Sequence, residues 1–378
     1  MCLGDGGGRE EGSDAHRHGT MWWVSQWVVA AAAAATVSYW AKLRGPKQYV
    51  KGVEERVEGL LDARLLGQPL AVHQVSDAIS EHLAQPWPKK PLVMSVHGPP
   101  GVGKSLFHYL IGHALYNITD VDSHTNQCPG RGCPAYKVVF GLDYLQTEKQ
   151  KQVEFLRETL TSHLLWFPES LVVMEEYDKV DCEVRGLLKQ MLDKGTESSI
   201  NWGKSIVVLE SNTGYLDLLD LREKYSSRND ISAEEAQKIL KDKVFSKWAA
   251  QGCEERVDTI KTVSLIDLFL PFFPLERPQV EDIIDLNLHR RLEHRINKGE
   301  LAGLHWDRAV VQFLSSRIEF DGNYAIEGAK EVSTVLARYV TRALKQYTQS
   351  SAYDATAWVA LEISQDGKGL VARKSERD

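Results

Sequence analysis

The sequence Gly98-Pro-Pro-Gly-Val-Gly-Lys104-Ser105 combines three glycines with a Lys-Ser pair, and this spacing indicates the class of fold. A glycine, four residues and then Gly-Lys-Ser allow backbone N–H groups to curl around phosphate oxygens at the start of a helix. The apolar run 92–96 precedes this loop, and a helical pattern over 106–115 follows it. Strand, loop and helix therefore occur in the required order, which predicts an α/β fold that binds a nucleoside triphosphate.

The loop also supplies specific ligands. Lys104 is expected to reach the β- and γ-phosphates, and Ser105 is expected to place its hydroxyl on Mg²⁺. A glycine-rich turn with a chance Lys-Ser pair is the alternative, and the strand–loop–helix order argues against it. The predicted nucleotide-binding residues are Gly98, Pro99, Pro100, Gly101, Val102, Gly103, Lys104 and Ser105.

Two further apolar runs, 171–174 and 205–209, end in polar residues. Parallel strands bring such residues to one edge of a sheet, where ligands bind. Glu175 is expected to hold Mg²⁺, although aspartate is usual at this position, and Glu176 to orient and deprotonate the attacking water. Asn212 is predicted to help hold that water. A turn-forming asparagine explains the same residue equally well.

Composition excludes several classes of protein. With 43% hydrophobic and 26% charged residues, the chain has enough apolar material for a large core. A net charge of −7 gives no electrostatic footprint for nucleic acid, so no nucleic-acid partner is predicted. Cys128 and Cys133 lie close in sequence and fit an ordinary loop or a single disulfide. A zinc site would need two further ligands, so no metal is predicted there.

The N-terminal region predicts a membrane anchor. Residues 1–20 are glycine-rich and polar and are expected to be disordered, whereas 21–41 carry no charge and have aromatic residues at both ends. A cleaved signal peptide and a buried helix are the alternatives. Basic residues within 42–51 favour a cytosolic folded part, whereas the sequon Asn117-Ile-Thr119 favours a secretory lumen. The residues leave the topology open.

Other motifs surround the phosphate loop in a fixed order. They are Leu65-Leu-Gly-Gln-Pro-Leu-Ala71, Pro88-Lys-Lys-Pro-Leu92, Glu175-Glu-Tyr-Asp-Lys179, Ser211-Asn212 and Leu265-Ile-Asp-Leu-Phe-Leu-Pro-Phe-Phe-Pro-Leu-Glu276. Together they resemble the Clp/HSP100 clade of AAA+ ATPases, and most of all the torsins, from about residue 65 to 347.

This resemblance implies a domain order and cofactors. After a linker at 42–59, it implies a P-loop AAA+ core with a parallel sheet at 60–285 and a mainly helical small (lid) domain at 286–350. Lys330 corresponds to the sensor 2 residue that reaches the γ-phosphate, and ATP and Mg²⁺ are the implied cofactors. The segment 351–378 is expected to hold a hairpin and tail, because apolar and polar residues alternate around an Asp-Gly turn.

The resemblance also implies partners. Leu265 stands where Clp-type proteins carry an arginine finger, which torsins also lack, so hydrolysis is expected to be slow. A membrane-anchored activating partner is expected to insert the arginine in trans, and a homo-oligomer acting on protein clients is implied. The segment between 143 and 171 has no aromatic-glycine pore loop, so threading is not expected.

The leading hypothesis is a torsin-like ATPase that remodels protein or membrane assemblies in the endoplasmic reticulum lumen and nuclear envelope, associated with the membrane. A membrane-anchored protein that faces the cytosol is the alternative topology. A Clp-like chaperone of the cytosol or an organelle is the first rival function. The second is a non-hydrolysing, ATP-gated scaffold.

Overall fold

The computed structural model describes residues 48–116, 133–141, 149–193 and 202–375. The predicted disordered segment 1–20, the predicted anchor 21–41, the sequon at Asn117 and Cys128 lie outside these ranges. Within them, no helix is both long enough and apolar enough to cross a membrane.

A five-stranded parallel sheet forms the centre of the larger part of the fold. Its strands follow the order β2-β3-β4-β1-β5, and the carboxyl ends of β1, β3 and β4 lie side by side at one edge. This arrangement confirms the predicted α/β class and places the polar residues after each strand together. The strands are β1 (Leu92–His97), β2 (Tyr136–Phe140), β3 (Leu171–Glu175), β4 (Ile206–Ser211) and β5 (Leu268–Pro271).

Helices cover both faces of this sheet. The phosphate loop leads directly into α3, as the sequence predicts, and Ser232 caps α7 by accepting a hydrogen bond from the Glu235 N–H. The helices are α1 (Val53–Arg64), α2 (Pro69–Ala84), α3 (Lys104–Tyr116), α4 (Lys149–Trp166), α5 (Cys182–Asp193), α6 (Tyr215–Glu223), α7 (Ala233–Gln251) and α8 (Arg256–Val263).

Side-chain alternation along the strands divides the core into two apolar clusters. In β4, Val208 packs in one cluster with Phe107 and Leu110 of α3, whereas Val207 and Leu209 pack in the other with the helices α4 to α8. Successive strand residues point to opposite faces, so an almost continuous apolar run fills both clusters. This burial fixes the sheet under the phosphate loop.

The C-terminal part combines helices with a small sheet. A three-stranded sheet of order β10-β9-β6 packs against its helices, and Gly367 makes the positive-φ turn of the β9–β10 hairpin. The predicted C-terminal hairpin is therefore confirmed. The elements are α9 (Arg277–Asn297), β6 (Gly303–Trp306), α10 (Arg308–Ser315), β7 (Phe320–Asp321), β8 (Tyr324–Ala325), α11 (Lys330–Leu336), a π-helical turn (Ala337–Thr341), α12 (Arg342–Thr348), β9 (Trp358–Ile363) and β10 (Leu370–Lys374).

The C-terminal part contacts the phosphate loop through backbone atoms. The Ala329 N–H donates a hydrogen bond to the Gly101 carbonyl over 2.8 Å. Both Gly101 and Gly328 have positive φ, and a Cβ built on Gly101 would lie 1.9 Å from the Glu327 carbonyl oxygen. Only glycine can occupy this contact without displacing one of the two loops.

A disulfide ties α5 to the segment that follows α7. Cys182 and Cys253 are bonded across a sequence separation of 71 residues. Arg185 donates to Gln251 at 2.6 Å beside this disulfide. This pairing is not predicted from the sequence, in which Cys128 and Cys133 are the cysteines that lie close together.

Candidate nucleotide site

A cleft of about 690 Å³ opens above the carboxyl ends of the strands. Residues of the phosphate loop, β3, β4, α9 and α11 contribute to its walls. Gly98 and Pro99 begin the loop and do not line this cleft, and a Cβ on Gly98 would lie 2.3 Å from the Phe272 carbonyl oxygen. The remaining predicted site residues all line it: Pro100, Gly101, Val102, Gly103, Lys104, Ser105, Glu175, Glu176, Asn212 and Lys330.

One end of the cleft is apolar. It is lined by Leu65 and Leu66 from the segment after α1, by Leu275, and by Ile283 and Leu286 of α9. An apolar slot of this kind suits the flat face of a purine base.

Lys104 lies at the other end, where the phosphate groups are expected. Its Nζ donates hydrogen bonds of 2.9 Å to the carbonyl oxygens of Gly98 and Pro99 and to Asn212 Oδ1. Asn212 therefore contacts the phosphate-binding lysine, a role that the sequence analysis did not assign to it. Asn212 also lines the cleft, and its predicted role in holding the attacking water stays a prediction.

The charges around Lys104 are closely coupled. Burial lowers the pKa of the Lys104 ammonium, the nearby Lys330 adds to this lowering, and Glu210 opposes it. Lys330 is the first residue of α11, so the C-terminal part brings a second cation to the phosphate end. Two ammonium groups near each other favour the binding of a polyanion.

Glu176 has a strained backbone. Its φ is 54°, and of the residues that the structure describes it is the non-glycine residue with positive φ. Its Oε2 atom is buried and has no hydrogen-bond partner among the described residues. Strained backbone and unpaired polar atoms concentrate at functional sites. An acceptor oxygen left unpaired in the cleft wall can accept a proton from a bound water.

Four polar side chains meet beside Glu176. The Ser105 hydroxyl donates to Glu210 Oε2 over 3.2 Å. The Nε2 atom of His108 lies 3.2 Å from Glu175 Oε1 and 3.5 Å from Glu210 Oε2. The sequence analysis assigned no role to His108 or Glu210. A signal was present, since His108 lies three residues after Ser105 and therefore one helical turn along the same face of α3.

The imidazole of His108 lies close to the carboxylates of Glu175 and Glu210, and this contact affects its pKa. Burial acts to lower the pKa of its imidazole, but the hydrogen bonds to Glu175 and Glu210 outweigh burial and raise the pKa. The hydroxyl of Ser105 and the carboxylate of Glu175 are hard oxygen donors at the cleft wall, so these residues fit Mg²⁺ held together with phosphate oxygens. Ser105 and Glu175 both line the cleft, and their role as metal ligands stays a prediction.

A hydrogen-bonded network supports the strand ends from below. The buried His97 contacts Ser95 Oγ at 2.6 Å and the Thr213 carbonyl at 2.9 Å. Burial lowers the pKa of His97 to about 4. The imidazole is therefore neutral at neutral pH. Lys247 of α7 donates to Asp178 Oδ2 at 3.0 Å and to Thr213 Oγ1 at 2.9 Å, which fixes the turns after β3 and β4.

Leu265 does not line the cleft. It packs where α5, α7 and α8 meet, and we call this region, including Leu265, the Leu265 junction. Its side chain is half-buried against the second apolar cluster. Together with Tyr177 and Trp248, it lines a small cavity. Position 265 is leucine, and the cavity that it lines also has Arg185 and Lys189 in its wall.

Comparison with protein families gives one match that bears on this site. The Torsin family model matches residues 47–127, which contain the phosphate loop and α3. A torsin-like protein of Caenorhabditis elegans is 27% identical over 276 residues, which cover 71% of this chain and 72% of the relative.

Clp-type chaperones form the other group of relatives. Chaperone protein ClpB of Chlamydia pneumoniae is 25% identical over 355 residues, covering 91% of this chain and 38% of the relative. The chloroplastic chaperone protein ClpB2 of Oryza sativa subsp. japonica is 27% identical over 297 residues, covering 76% of this chain and 28% of the relative. The chain thus spans well under half the length of these chaperones. The matches confirm the resemblance that the motifs indicate: the chain is similar to a torsin-like protein and to Clp-type chaperones.

Proposed function

We propose that this protein is a torsin-like ATPase that binds ATP tightly on its own. It hydrolyses the bound ATP slowly until a partner supplies an arginine. One observation carries the proposal. The cleft brings Lys104, Glu176 and Lys330 together, whereas Leu265 packs its side chain into an apolar cluster. An arginine finger accelerates phosphoryl transfer by roughly 10³- to 10⁵-fold. A site without one is therefore expected to bind ATP and to hydrolyse it slowly.

Each residue of the cleft has a defined part in this proposal. Lys104 and Lys330 bind the negative charge of the β- and γ-phosphates. Glu176 orients the attacking water and accepts its proton. Mg²⁺, when bound, is held by Ser105 and Glu175 and neutralises charge on the phosphates. Asn212 holds Lys104 in place and faces the same water.

The partners follow from the same reasoning. A membrane-anchored activator with an exposed arginine is proposed to complete the site in trans, and copies of this chain are proposed to assemble with it. The proposed work is the remodelling of protein or membrane assemblies. The net charge of −7 speaks against nucleic acid as a client.

The proposed compartment is the lumen of the endoplasmic reticulum and the nuclear envelope. The disulfide between Cys182 and Cys253 supports it, because disulfides form and persist in oxidising compartments. The sequon at Asn117 provides a direct test. A mass shift that glycosidase removes, and that Asn117→Gln abolishes, is expected for the protein expressed in cells. An unglycosylated, reduced protein would favour a cytosolic location.

Steady-state phosphate release by the purified full-length chain tests the central claim. We expect tight binding of a fluorescent ATP analogue together with slow turnover. Brisk turnover by the chain alone would contradict the need for an activating partner.

A non-hydrolysing, ATP-gated scaffold is the second candidate. The glutamate at position 175, where aspartate is usual, favours it, as does the leucine at position 265. Under this alternative, ATP binds and promotes assembly, and single-turnover measurements with a candidate activator show no product. Product formation with the activator would reject the scaffold.

A further inference from the structure

We propose that His108, Glu175 and Glu210 bind a divalent first-row transition-metal ion, with Mn²⁺ as the ion to test, in place of Mg²⁺ at the phosphate end of the cleft. The proposal rests on the proposed function only in naming phosphate as the neighbouring ligand. The three protein ligands are argued from their own geometry.

The three ligand atoms already have the spacing of a coordination site. His108 Nε2, one oxygen of Glu175 and one oxygen of Glu210 all lie within 4.8 Å of one another. Two ligands at about 2.1 Å from a common ion are separated by roughly 3.0 to 3.4 Å, for octahedral and tetrahedral angles. Of the separations from His108 Nε2, the 3.2 Å to Glu175 falls within this range, and the 3.5 Å to Glu210 lies just above it.

The ligands come from three elements that hold them rigidly. His108 belongs to α3, Glu175 ends β3, and Glu210 lies at the end of β4. The Nδ1 atom of His108 forms a hydrogen bond with the Tyr136 hydroxyl of β2, which leaves Nε2 facing the two carboxylates. A hydrogen bond on the far ring nitrogen is how proteins commonly orient a metal-binding histidine.

The site keeps room for further ligands. The side chain of His108 is only 4% exposed, whereas those of Glu175 and Glu210 are 20% and 13% exposed and line the cleft. The Ser105 hydroxyl, which donates to Glu210, is adjacent. Phosphate oxygens and water can therefore complete the coordination from the cleft side.

The donor set selects the class of ion. Mg²⁺ prefers oxygen ligands and keeps several waters, so a buried imidazole nitrogen contributes little to its binding. Among first-row transition metals, imidazole suits Fe²⁺, Ni²⁺ and Zn²⁺ best, whereas Mn²⁺ also accepts carboxylate and water oxygens and binds most weakly in the series. Mn²⁺ is therefore the strictest test of the imidazole ligand. The imidazole therefore favours a transition metal at the position where the resemblance alone implies Mg²⁺.

The first experiment uses the full-length chain, without a histidine tag and without nucleotide, titrated with MnCl₂ alone. Free Mn²⁺ is counted by electron paramagnetic resonance. We expect one ion bound per chain and retention of it against about a tenfold excess of Mg²⁺. Pulsed resonance of the bound ion should show coupling to an imidazole nitrogen. The absence of that coupling would overturn the proposal without any variant.

Variants then locate the ion. His108→Gln should weaken Mn²⁺ binding by about tenfold or more and remove the nitrogen coupling. Glu210→Gln should weaken binding while retaining the coupling, which covers the case in which the first variant fails to fold. The matched control is His289→Gln, an exposed histidine paired with Asp285 on α9, which should bind Mn²⁺ like the unmodified chain. Equal binding by His108→Gln and the control would show that the cluster is only an ion pair.

Nucleotide binding is measured separately in Mg²⁺ with a fluorescent ATP analogue. A chain that binds Mn²⁺ through His108 but fails to bind ATP would contradict the proposed function and leave the metal site intact. A chain that binds ATP but shows no nitrogen coupling would contradict the metal site alone.

Discussion

The phosphate end of the cleft and the Leu265 junction differ in how their groups are satisfied. At the phosphate end, Glu176 has a strained backbone and a buried oxygen without a partner among the described residues, and two cations lie near each other. In the junction, Leu265 packs with apolar neighbours, and a disulfide joins Cys182 to Cys253. At the phosphate end, a ligand can therefore form hydrogen bonds and ion pairs that the protein does not make by itself. In the Leu265 junction, apolar packing and the disulfide dominate, although Arg185 Nη2 of α5 is also buried without a hydrogen-bond partner among the described residues. This region therefore contributes mainly stability.

The largest expected effect is the loss of turnover on changing Glu176. If this loss is not observed, the phosphate end does not differ from the Leu265 junction in the way described. Glu176→Gln keeps the size of the side chain but removes the proton acceptor, so turnover should fall by about 10²- to 10⁴-fold. ATP affinity should be preserved. Single-turnover phosphate release, followed over long incubation or with an activator, measures the loss. The control Glu183→Gln changes an exposed glutamate of α5 and should turn over normally. Equal rates for both variants would remove Glu176 from the mechanism.

Lys104 tests binding at the same end. Lys104→Ala removes charge-assisted hydrogen bonds to two phosphates, at a cost of about 3 kcal/mol, or roughly 100-fold in affinity. Titration with a fluorescent ATP analogue measures it. Lys243→Ala, at an exposed lysine paired with Asp217, should leave affinity unchanged. If the two variants bind ATP alike, the phosphates are held elsewhere.

The disulfide tests the claim that the junction contributes stability. Replacing both Cys182 and Cys253 with serine should lower the free energy of unfolding by about 2 to 4 kcal/mol, because the unfolded chain gains freedom over a long loop. Urea denaturation measures this loss, and ATP affinity of the folded variant should not change. A variant with unaltered stability and weakened ATP binding would reverse the roles of the two regions.

Lys247 links the regions and gives the smallest expected effect. Lys247→Met leaves the Asp178 carboxylate, whose side chain is 7% exposed, without its cation, at a cost of about 1 to 3 kcal/mol in stability. Lys243→Met, one helical turn away and exposed, should change stability by no more than about 0.5 kcal/mol. Thermal unfolding of the two variants measures the difference. Equal melting temperatures would show that the regions are independent at this contact.

Much of the fold could be predicted because short-range patterns determine it. The apolar runs 92–96, 171–174 and 205–209 correspond to β1, β3 and β4, and the Asp-Gly turn correctly indicated the C-terminal hairpin. Burial on both faces requires continuous apolar runs in parallel strands, so the pattern is visible in a single sequence. The residues that follow those strands are brought together for the same reason.

The missed features depend on distances that only the fold creates. The Cys182–Cys253 disulfide joins residues 71 apart, which no spacing rule selects. In the sequence, His108 is one polar residue in an apolar helix, and Glu210 is part of a predicted turn. Only the folded sheet brings Glu175 close to both of them. The roles of Glu175, Glu176, Asn212 and Lys330 remain predictions that the placement in the cleft supports.

The contact between Gly101 and Gly328 limits how this sequence can change over time. A Cβ on Gly328 would lie 2.5 Å from the Gly101 carbonyl oxygen, as a Cβ on Gly101 would clash with Glu327. A side chain on either glycine would act as a wedge between the two parts of the molecule. Ala329, which follows Gly328 and precedes Lys330, contributes its backbone N–H to the contact, and its side chain packs half-buried against the first apolar cluster. The two glycine positions can therefore accept a side chain only if both loops move together.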